Sequence, residues 1–168
     1  MKNFILLLMV SGEAKEKIES IRFKYTGKKI IDALAPHLTL RGRFVLKEGV
    51  SEDLLRKSIE EFDISNMQAK ADGIDKIGDA IVLNVKKDGI LEKHENILKV
   101  LKDLTNSIRP ERENKSFHPH VTLFRSKEEQ AGIKDIPDIL SFDRLCLYEI
   151  DPSVDKKWVK EVFCRDLA

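Results

Sequence analysis

The stretch PHLTLRGRFVL, residues 36–46, decides how this chain is expected to fold, because its polar and apolar side chains alternate. Residues two apart on a β-strand point to the same side of the sheet. The alternation therefore predicts a strand with one polar side and one core side. The polar side carries His37, Thr39, Arg41 and Arg43, and the core side carries Leu38, Leu40, Phe44 and Leu46.

A second copy of the pattern begins at Pro119, where residues 119–123 read PHVTL. Each copy follows a proline, and each comes after an apolar strand and an amphipathic helix. The predicted strands cover residues 5–10 and 80–85, and the predicted helices cover residues 13–25 and 90–104. The repeated order predicts an α+β fold from a duplicated unit, with two mainly antiparallel sheets and outer helices around a central cleft. We expect pseudo-twofold symmetry and one domain over residues 1–168, formed by two interleaved lobes.

The remaining elements are predicted from local signals. Ser51 should cap a helix that reaches Phe62, with acidic residues in its first turn, where the helix dipole favours them. A charged loop, residues 111–116, leads into the second motif. Further strands are predicted at residues 67–71, 142–150 and 158–164.

The composition is that of an ordinary globular protein. Of the 168 residues, 42% are hydrophobic and 35% are charged, which excludes an intrinsically disordered chain. No apolar run is long enough for a transmembrane helix. A net charge of +1 excludes a protein that binds duplex nucleic acid mainly by neutralising its phosphates.

Two further features bear on the cellular compartment. The apolar run at residues 4–10 is interpreted as a buried strand rather than a signal peptide, because no small-x-small cleavage site comes after it. The protein is therefore expected to be cytoplasmic. Cys146 and Cys164 are too few and too isolated for a disulfide framework or a CxxC metal site, so both are predicted to be buried, reduced thiols.

The paired His-x-Thr motifs point to chemistry at phosphorus. One motif alone carries little weight, whereas two copies in equivalent places of a repeated unit indicate a function. In-line displacement needs a proton carrier on each side of phosphorus, and imidazole, with an unperturbed pKa of about 6.5, serves as acid or base at neutral pH. The hydroxyls of Thr39 and Thr122 would donate hydrogen bonds to the non-bridging phosphate oxygens. This scheme requires no metal.

The pair His37-Leu38-Thr39-Leu40 and His120-Val121-Thr122-Leu123 resembles the signature of the 2H phosphoesterase superfamily, in its 2′-5′ RNA ligase-like branch. The resemblance extends over nearly the whole chain in length, motif placement and element order. It implies a bilobal fold and cofactor-free hydrolysis of 2′,3′-cyclic phosphates on RNA ends or nucleotides, and some relatives also join RNA ends through 2′-5′ linkages. By the same resemblance, His120 would activate the attacking water, His37 would protonate the departing ribose oxygen, and both threonines would hold the phosphate.

Four other residues are candidates for substrate contacts. Arg41 and Arg43 share the parity of His37 and could meet phosphates, or they could be solvated arginines at a strand end. Phe124 has the parity of His120 and could stack on a base, or it could pack in the core. Arg125 occupies a place where relatives often carry arginine, but strict alternation puts it on the face opposite His120 unless a bulge or strand end intervenes.

Three alternatives stay open at this point. The protein could be an RNA- or nucleotide-binding module without turnover, although binding alone would not need a matched acid and base. It could act on another small cyclic phosphate, such as an ADP-ribose derivative. A metal site could be built on His118 and His120, with His37 or His94 completing it, but no acidic residue accompanies the motif strands.

Overall fold

The computed structural model describes residues 2–151 and 158–167, and the elements in these two ranges follow the predicted order. The strands are β1 Asn3–Ser11, β2 His37–Leu46, β3 Met67–Ile77, β4 Ala80–Val85, β5 Thr105–Ser107, β6 His120–Arg125, β7 Ile139–Asp151 and β8 Trp158–Asp166. The helices are α1 Gly12–Thr26, α2 Glu52–Glu60 and α3 Ile90–Leu101, with short 3₁₀ helices at Pro110–Arg112 and Asn114–Ser116.

The strands form one antiparallel sheet in the order β1-β2-β6-β4-β3-β7-β8, with β5 on β2 and a further pairing of β1 with β7. The predicted α+β class with mainly antiparallel strands is confirmed. The two expected sheets are joined into one, because β2 pairs with β6 at Leu38 and Val121, and β3 pairs with β7 at four residue pairs. We call β1–α1–β2 the first motif unit and β4–α3–β6 the second motif unit.

The two faces of this sheet are different. Leu6 and Leu8 of β1 belong to the large core, together with Leu38 of β2 and Val121 of β6. All three α-helices contribute buried residues to the same core, so they cover this face. Leu7 and Met9 alternate with these residues and belong to a separate small cluster on the other face. His37 and Thr39 lie on that second face, because they pair directly with Met9 and Leu7.

The helices begin and end for local reasons. Gly27 terminates α1 with φ of 74°, a left-handed conformation in which its amide donates to Phe23 O. The side chain of Ser51 accepts from the amide of Leu54, which confirms its predicted role as a cap. None of the helices in residues 2–151 and 158–167 is long and apolar enough to cross a membrane.

The second helix ends at Glu60 rather than at Phe62. Two other predicted boundaries were wrong because of strand pairing. The third helix ends at Leu101 rather than near residue 104, because Thr105, Asn106 and Ser107 pair instead with residues 44–46 of β2. The strand predicted at residues 67–71 continues to Ile77, because a two-residue turn at Gly78 and Asp79 joins it to β4 as a hairpin. In both cases a neighbouring strand supplies hydrogen bonds that the local pattern does not reveal.

The prediction of two reduced thiols was also wrong. Cys146 and Cys164 lie directly opposite each other on β7 and β8, with their Cα atoms 4.1 Å apart, and they form a disulfide. Cys146 is fully buried, as expected. The two cysteines are isolated in the sequence, and only the register of the last two strands brings them together.

Candidate functional site

The two motif strands are neighbours, and their motifs meet at the middle residue of each His-x-Thr. Leu38 pairs with Val121 across the antiparallel strands, and both side chains are fully buried in the core. The flanking histidines and threonines therefore point to the opposite face of the sheet, which the helices leave uncovered. Antiparallel order places the His37 end of β2 beside the Thr122 end of β6. The pairing therefore places the two motifs side by side on one face of the sheet.

Both imidazoles are held in the same way. Nδ1 of His37 lies 2.8 Å from Ala35 O, and Nδ1 of His120 lies 2.8 Å from His118 O. A carbonyl oxygen only accepts, so in each ring Nδ1 carries the hydrogen and donates it. The neutral ring then has its lone pair on Nε2. The Nε2 atoms of His37 and His120 are thus both available for proton transfer on the uncovered face.

The proline before each histidine contributes to this geometry. Proline restricts the residue before it to extended conformations, and that residue, Ala35 or His118, supplies the carbonyl that accepts from Nδ1. The carbonyls of Pro36 and Pro119 in turn accept from the amides of Val10 and Val85, each at 3.0 Å. Val10 and Val85 occupy equivalent places in the two motif units. This correspondence is consistent with the predicted pseudo-twofold symmetry.

A β-bulge follows each motif and changes which residues accompany it. In β2, Thr39 pairs with Leu7 but Arg41 pairs with Leu6, so Leu40 and Arg41 share one partner. In β6, Thr122 pairs with Val82 but Phe124 pairs with Ile81. Beyond each bulge the alternation is shifted by one residue, which sequence parity could not reveal.

The first bulge turns Arg41 into the core. Arg41 is 2% exposed, and its guanidinium lies 4.3 Å from the centre of the Phe44 ring. Nη2 donates to Ser107 Oγ, whereas Nε and Nη1 have no partner among the described residues. The expected position on the polar face was therefore wrong. Arg43 is half-buried. A second register shift, between the pair of Arg41 with Leu6 and the pair of Phe44 with Phe4, separates Arg43 from the motif.

The second bulge exchanges the expected positions of Phe124 and Arg125. Phe124 is 2% exposed and stacks on Tyr25 at 4.6 Å, so it packs in the core. Arg125 pairs with Ala80 and thereby returns to the face of Thr122, which is the exception that a bulge allows. Strict alternation, which places Arg125 on the face opposite His120, was therefore wrong for this residue.

Arg125 is engaged by two carboxylates. Its Nε and Nη2 lie 2.9 and 2.8 Å from Asp32 Oδ2, and its Nη1 lies 2.6 Å from Asp79 Oδ1. Asp32 belongs to a tight turn, residues 31–34, in which Asp32 and Ala33 have φ of 53° and 64°. Asp79 belongs to the β3–β4 hairpin turn. Arg125 therefore connects the second motif strand to the turn that precedes the first motif.

The electrostatic environment lowers the pKa of both histidines. Burial lowers the pKa of His37 to about 4, against the opposing effects of its hydrogen bond to Ala35 O and of Asp32. The charges of Arg22 and His120 act in the same direction as burial. Burial also lowers the pKa of His120, against the opposing effect of its hydrogen bond to His118 O, and the charges of the His118 ring and Arg112 lower it further. Both rings are thus neutral at pH 7 in the ligand-free protein.

Arg22, which belongs to neither motif, lies beneath the site. It is 1% exposed on α1 and reaches the second motif strand, where it donates to the carbonyls of Thr122 and Leu123. A sequence signal was present, because Arg22 falls on the helical stripe of Ile18, Ile21 and Tyr25 that predicts the buried side of α1.

The other two histidines have different surroundings. His118 is exposed, and its Nε2 lies 2.8 Å from Asn84 Oδ1, beside His120. His94 is 1% exposed and stacks on Phe117. Nδ1 of His94 donates to Leu40 O, and Nε2 accepts from the amide of Asn114. Within the described ranges, the one grouping of potential metal ligands is Cys146, Glu161 and Cys164, so the alternative site of His118, His120 and His37 or His94 does not assemble.

The sequence comparisons agree with this geometry. Residues 10–152 match the 2′-5′ RNA ligase superfamily. The chain belongs to this superfamily. Its membership confirms the resemblance carried by the paired motifs and identifies the protein as a phosphoesterase- or ligase-type enzyme. A search of curated proteins found no match by sequence.

Solved structures share the fold over almost the whole chain. E. coli LigT, complexed with 3′-AMP, superposes with a TM-score of 0.62 at 17% identity, covering 99% of this chain and 98% of LigT. A Thermus thermophilus protein superposes with a TM-score of 0.64 at 14% identity, covering 98% and 97% of the two chains. At such low identity these likenesses show the fold alone.

Proposed function

We propose that this protein hydrolyses 2′,3′-cyclic phosphates of RNA ends or nucleotides without a metal, using His37 and His120 as the two proton carriers. The observation that carries the proposal is the matched orientation of the two imidazoles. Each donates its Nδ1 hydrogen to the carbonyl two residues earlier, at 2.8 Å in both cases. The two Nε2 atoms are therefore left for chemistry on one uncovered face, where Thr39 and Thr122 accompany them.

The reaction needs one proton removed and one supplied. Nε2 of His120 would accept a proton from water as the water oxygen attacks phosphorus, and the bond from phosphorus to one ribose oxygen would break. Protonated His37 would give its proton to that departing oxygen, so that the product is a phosphate monoester beside a free hydroxyl. The hydroxyls of Thr39 and Thr122 would stabilise the charge on the non-bridging oxygens.

The low pKa of His37 sets a condition for this assignment. A general acid must carry its proton at the start, whereas His37 is neutral at pH 7 in the ligand-free protein. A phosphate anion within a few ångströms favours the charged form of an imidazole. Substrate binding would therefore raise the pKa of His37 and bring a proton with it.

Other supporting observations come from relatives. LigT has been solved in complex with 3′-AMP, ATP and NADP+, which supports a nucleotide-sized ligand for this cleft. The same geometry would accept a 5′-hydroxyl of RNA in place of water, and that reaction forms a 2′-5′ linkage. The superfamily is named for this ligation activity.

The test is an assay with 2′,3′-cyclic nucleotides, cyclic-ended oligoribonucleotides and a cyclic phosphate of ADP-ribose, all in excess EDTA. Chromatography would identify the product phosphate as 2′ or 3′, and the double variant His37→Ala, His120→Ala would reveal any contaminating activity. We expect turnover that resists EDTA and disappears in the double variant. Binding of these compounds without any turnover would contradict the proposal and favour a binding module.

A further inference from the structure

Arg22 makes more hydrogen bonds than its place on an outer helix requires. Its Nε lies 3.0 Å from Leu123 O, its Nη2 lies 2.8 Å from Thr122 O, and its Nη1 lies 3.1 Å from Lys29 O and 3.0 Å from Leu34 O. All of these acceptors are backbone carbonyls. The guanidinium is thus the common partner of the second motif strand and of the segment that leads to His37.

The bond to two successive carbonyls depends on the bulge. In a regular strand, successive carbonyls point in opposite directions, so one guanidinium cannot bind both. The bulge between Thr122 and Phe124 distorts β6 at this place. The strands β2 and β6 share only the pair of Leu38 with Val121, so Arg22 adds hydrogen bonds where the sheet between the two motifs is weakest.

The other two acceptors lie on the path to the first motif. Leu34 O and Lys29 O belong to the segment before Pro36, and Ala35 in that segment provides the carbonyl that orients His37. Arg22 contacts no substrate-facing atom itself. We propose that Arg22 is a positioning residue, which fixes the Thr122 end of the second motif against the segment that delivers His37.

The charge of Arg22 gives this role a second, measurable effect. Burial lowers the pKa of Arg22 to about 10, so the side chain stays charged at neutral pH. The charged groups that act on His37 are Arg22 from α1, Asp32 from the preceding turn and His120 from β6. Arg22 is the fixed positive charge among them, and it disfavours a proton on His37.

Two substitutions separate geometry from charge. Arg22→Lys keeps the charge, but a single ammonium cannot reach four carbonyls in the fork geometry of a guanidinium. Arg22→Gln removes the charge and most of the donors. Lys24→Gln is the matched control, because it removes one positive charge from an exposed position of the same helix.

Proton NMR titration of the His37 ring is the first measurement, and it does not depend on any activity. We expect Arg22→Gln to raise the pKa of His37, and Arg22→Lys and Lys24→Gln to leave it near the wild-type value. Binding of inorganic phosphate, followed through the His37 and His120 ring signals, should weaken in both Arg22 variants and not in Lys24→Gln.

The effect on turnover rests on the proposed function. Small displacements of positioned groups reduce rates by up to about 100-fold, so we expect kcat to fall roughly tenfold or more in Arg22→Lys with a smaller change in KM.

Folded Arg22 variants with wild-type phosphate binding and a wild-type His37 pKa would overturn the proposal. If Arg22→Gln does not fold, Arg22→Lys decides through phosphate binding and kcat. If the wild-type protein binds phosphate but shows no turnover, the proposed function fails. The NMR comparison of phosphate binding and of the His37 pKa still tests whether Arg22 is a positioning residue.

Discussion

The two motif units build the same imidazole geometry from different surroundings. Both histidines come after a proline, donate from Nδ1 at 2.8 Å and precede a β-bulge. After the bulge, the first unit places Gly42 where the second unit places Arg125. Beside the histidine, the first unit has Ala35 and Met9, whereas the second has His118 and Asn84.

This difference makes the surroundings of the two histidines chemically unequal. Met9 is 3% exposed and packs in an apolar cluster next to His37, and burial lowers the pKa of His37 further than that of His120. The hydrogen-bonded pair of His118 and Asn84 gives the second side polar, exposed groups. In the ligand-free protein this inequality runs against the proposed roles, because His37, the proposed acid, has a pKa of about 4. A bound phosphate must therefore raise the pKa of His37 before it can act as the acid.

The largest expected effect comes from removing either histidine. General acid or base catalysis typically contributes about 10²–10⁴-fold, so His37→Ala and His120→Ala should each lose that much kcat on a 2′,3′-cyclic nucleotide. A p-nitrophenyl phosphodiester, whose leaving group needs no proton, separates the two roles. His37→Ala should recover much of its loss on this substrate, and His120→Ala should not.

Thermal unfolding of both alanine variants is the control for folding. Equal losses on both substrates would mean that neither histidine acts as the acid in the way proposed. Recovery in His120→Ala instead of His37→Ala would reverse the two roles and contradict the assignment of His120 as the base.

A smaller loss is expected from the threonines. Removing one hydrogen-bond donor to a developing oxyanion typically costs about 10²–10³ in kcat, so Thr39→Val and Thr122→Val should each fall in that range. The serine variants at the same positions keep the hydroxyl and are the matched controls. Steady-state kinetics in which valine and serine variants behave alike would contradict phosphate contact by that hydroxyl.

The pH dependence of stability compares the histidines without any substrate. A histidine with a lowered pKa binds fewer protons in the folded protein than in the unfolded chain, so protonation favours unfolding. The free energy of unfolding should therefore fall as the pH drops from about 6.5 towards 4, and it is fully restored above the unfolded pKa. For His37, whose pKa is lowered to about 4, we expect a contribution of about 2 kcal/mol to the free energy of unfolding. This figure takes about 1.4 kcal/mol per pKa unit and is reduced because the ring is partly exposed.

Urea unfolding between pH 4.5 and 7.5 measures this contribution. His37→Gln should flatten the pH profile, and His120→Gln should flatten it less. Buried His94 also has a lowered pKa but is present in all three proteins, so it cancels in the comparison. A wild-type slope in His37→Gln would show that His37 does not have the depressed pKa.

The sequence was sufficient for the elements and the pairing of the motifs, but not for the residues immediately after each motif. Alternation predicts β2, and the repeat predicts the meeting of His37 and His120. Alternation fails after Leu40 and Leu123, because a bulge depends on the register with a neighbouring strand. Arg41 was therefore assigned to the wrong face, and the disulfide of Cys146 was missed for a related reason, since the register of β8 also depends on its neighbour.

The smallest expected effect concerns Arg125, the residue that has no counterpart in the first motif unit. Its guanidinium is partly exposed and bridges Asp32 and Asp79, and such pairs contribute about 0.2–1 kcal/mol. A double-mutant cycle with Arg125→Met and Asp32→Asn should give a coupling energy in that range. The coupling should decrease in 1 M salt, because screening weakens partly exposed ion pairs.

The same variant tests whether Arg125 contacts substrate. If Arg125 only connects the second motif strand to residues 31–34, Arg125→Met should lower stability slightly and leave KM for a cyclic nucleotide unchanged. A substrate contact predicts a raised KM, and the phosphate would then have to compete with the two carboxylates for the guanidinium. In that case Asp79→Asn, which removes one competitor far from His37 in the sequence, should lower KM. A raised KM in Arg125→Met together with a wild-type KM in Asp79→Asn would mean that Arg125 binds substrate without releasing Asp79.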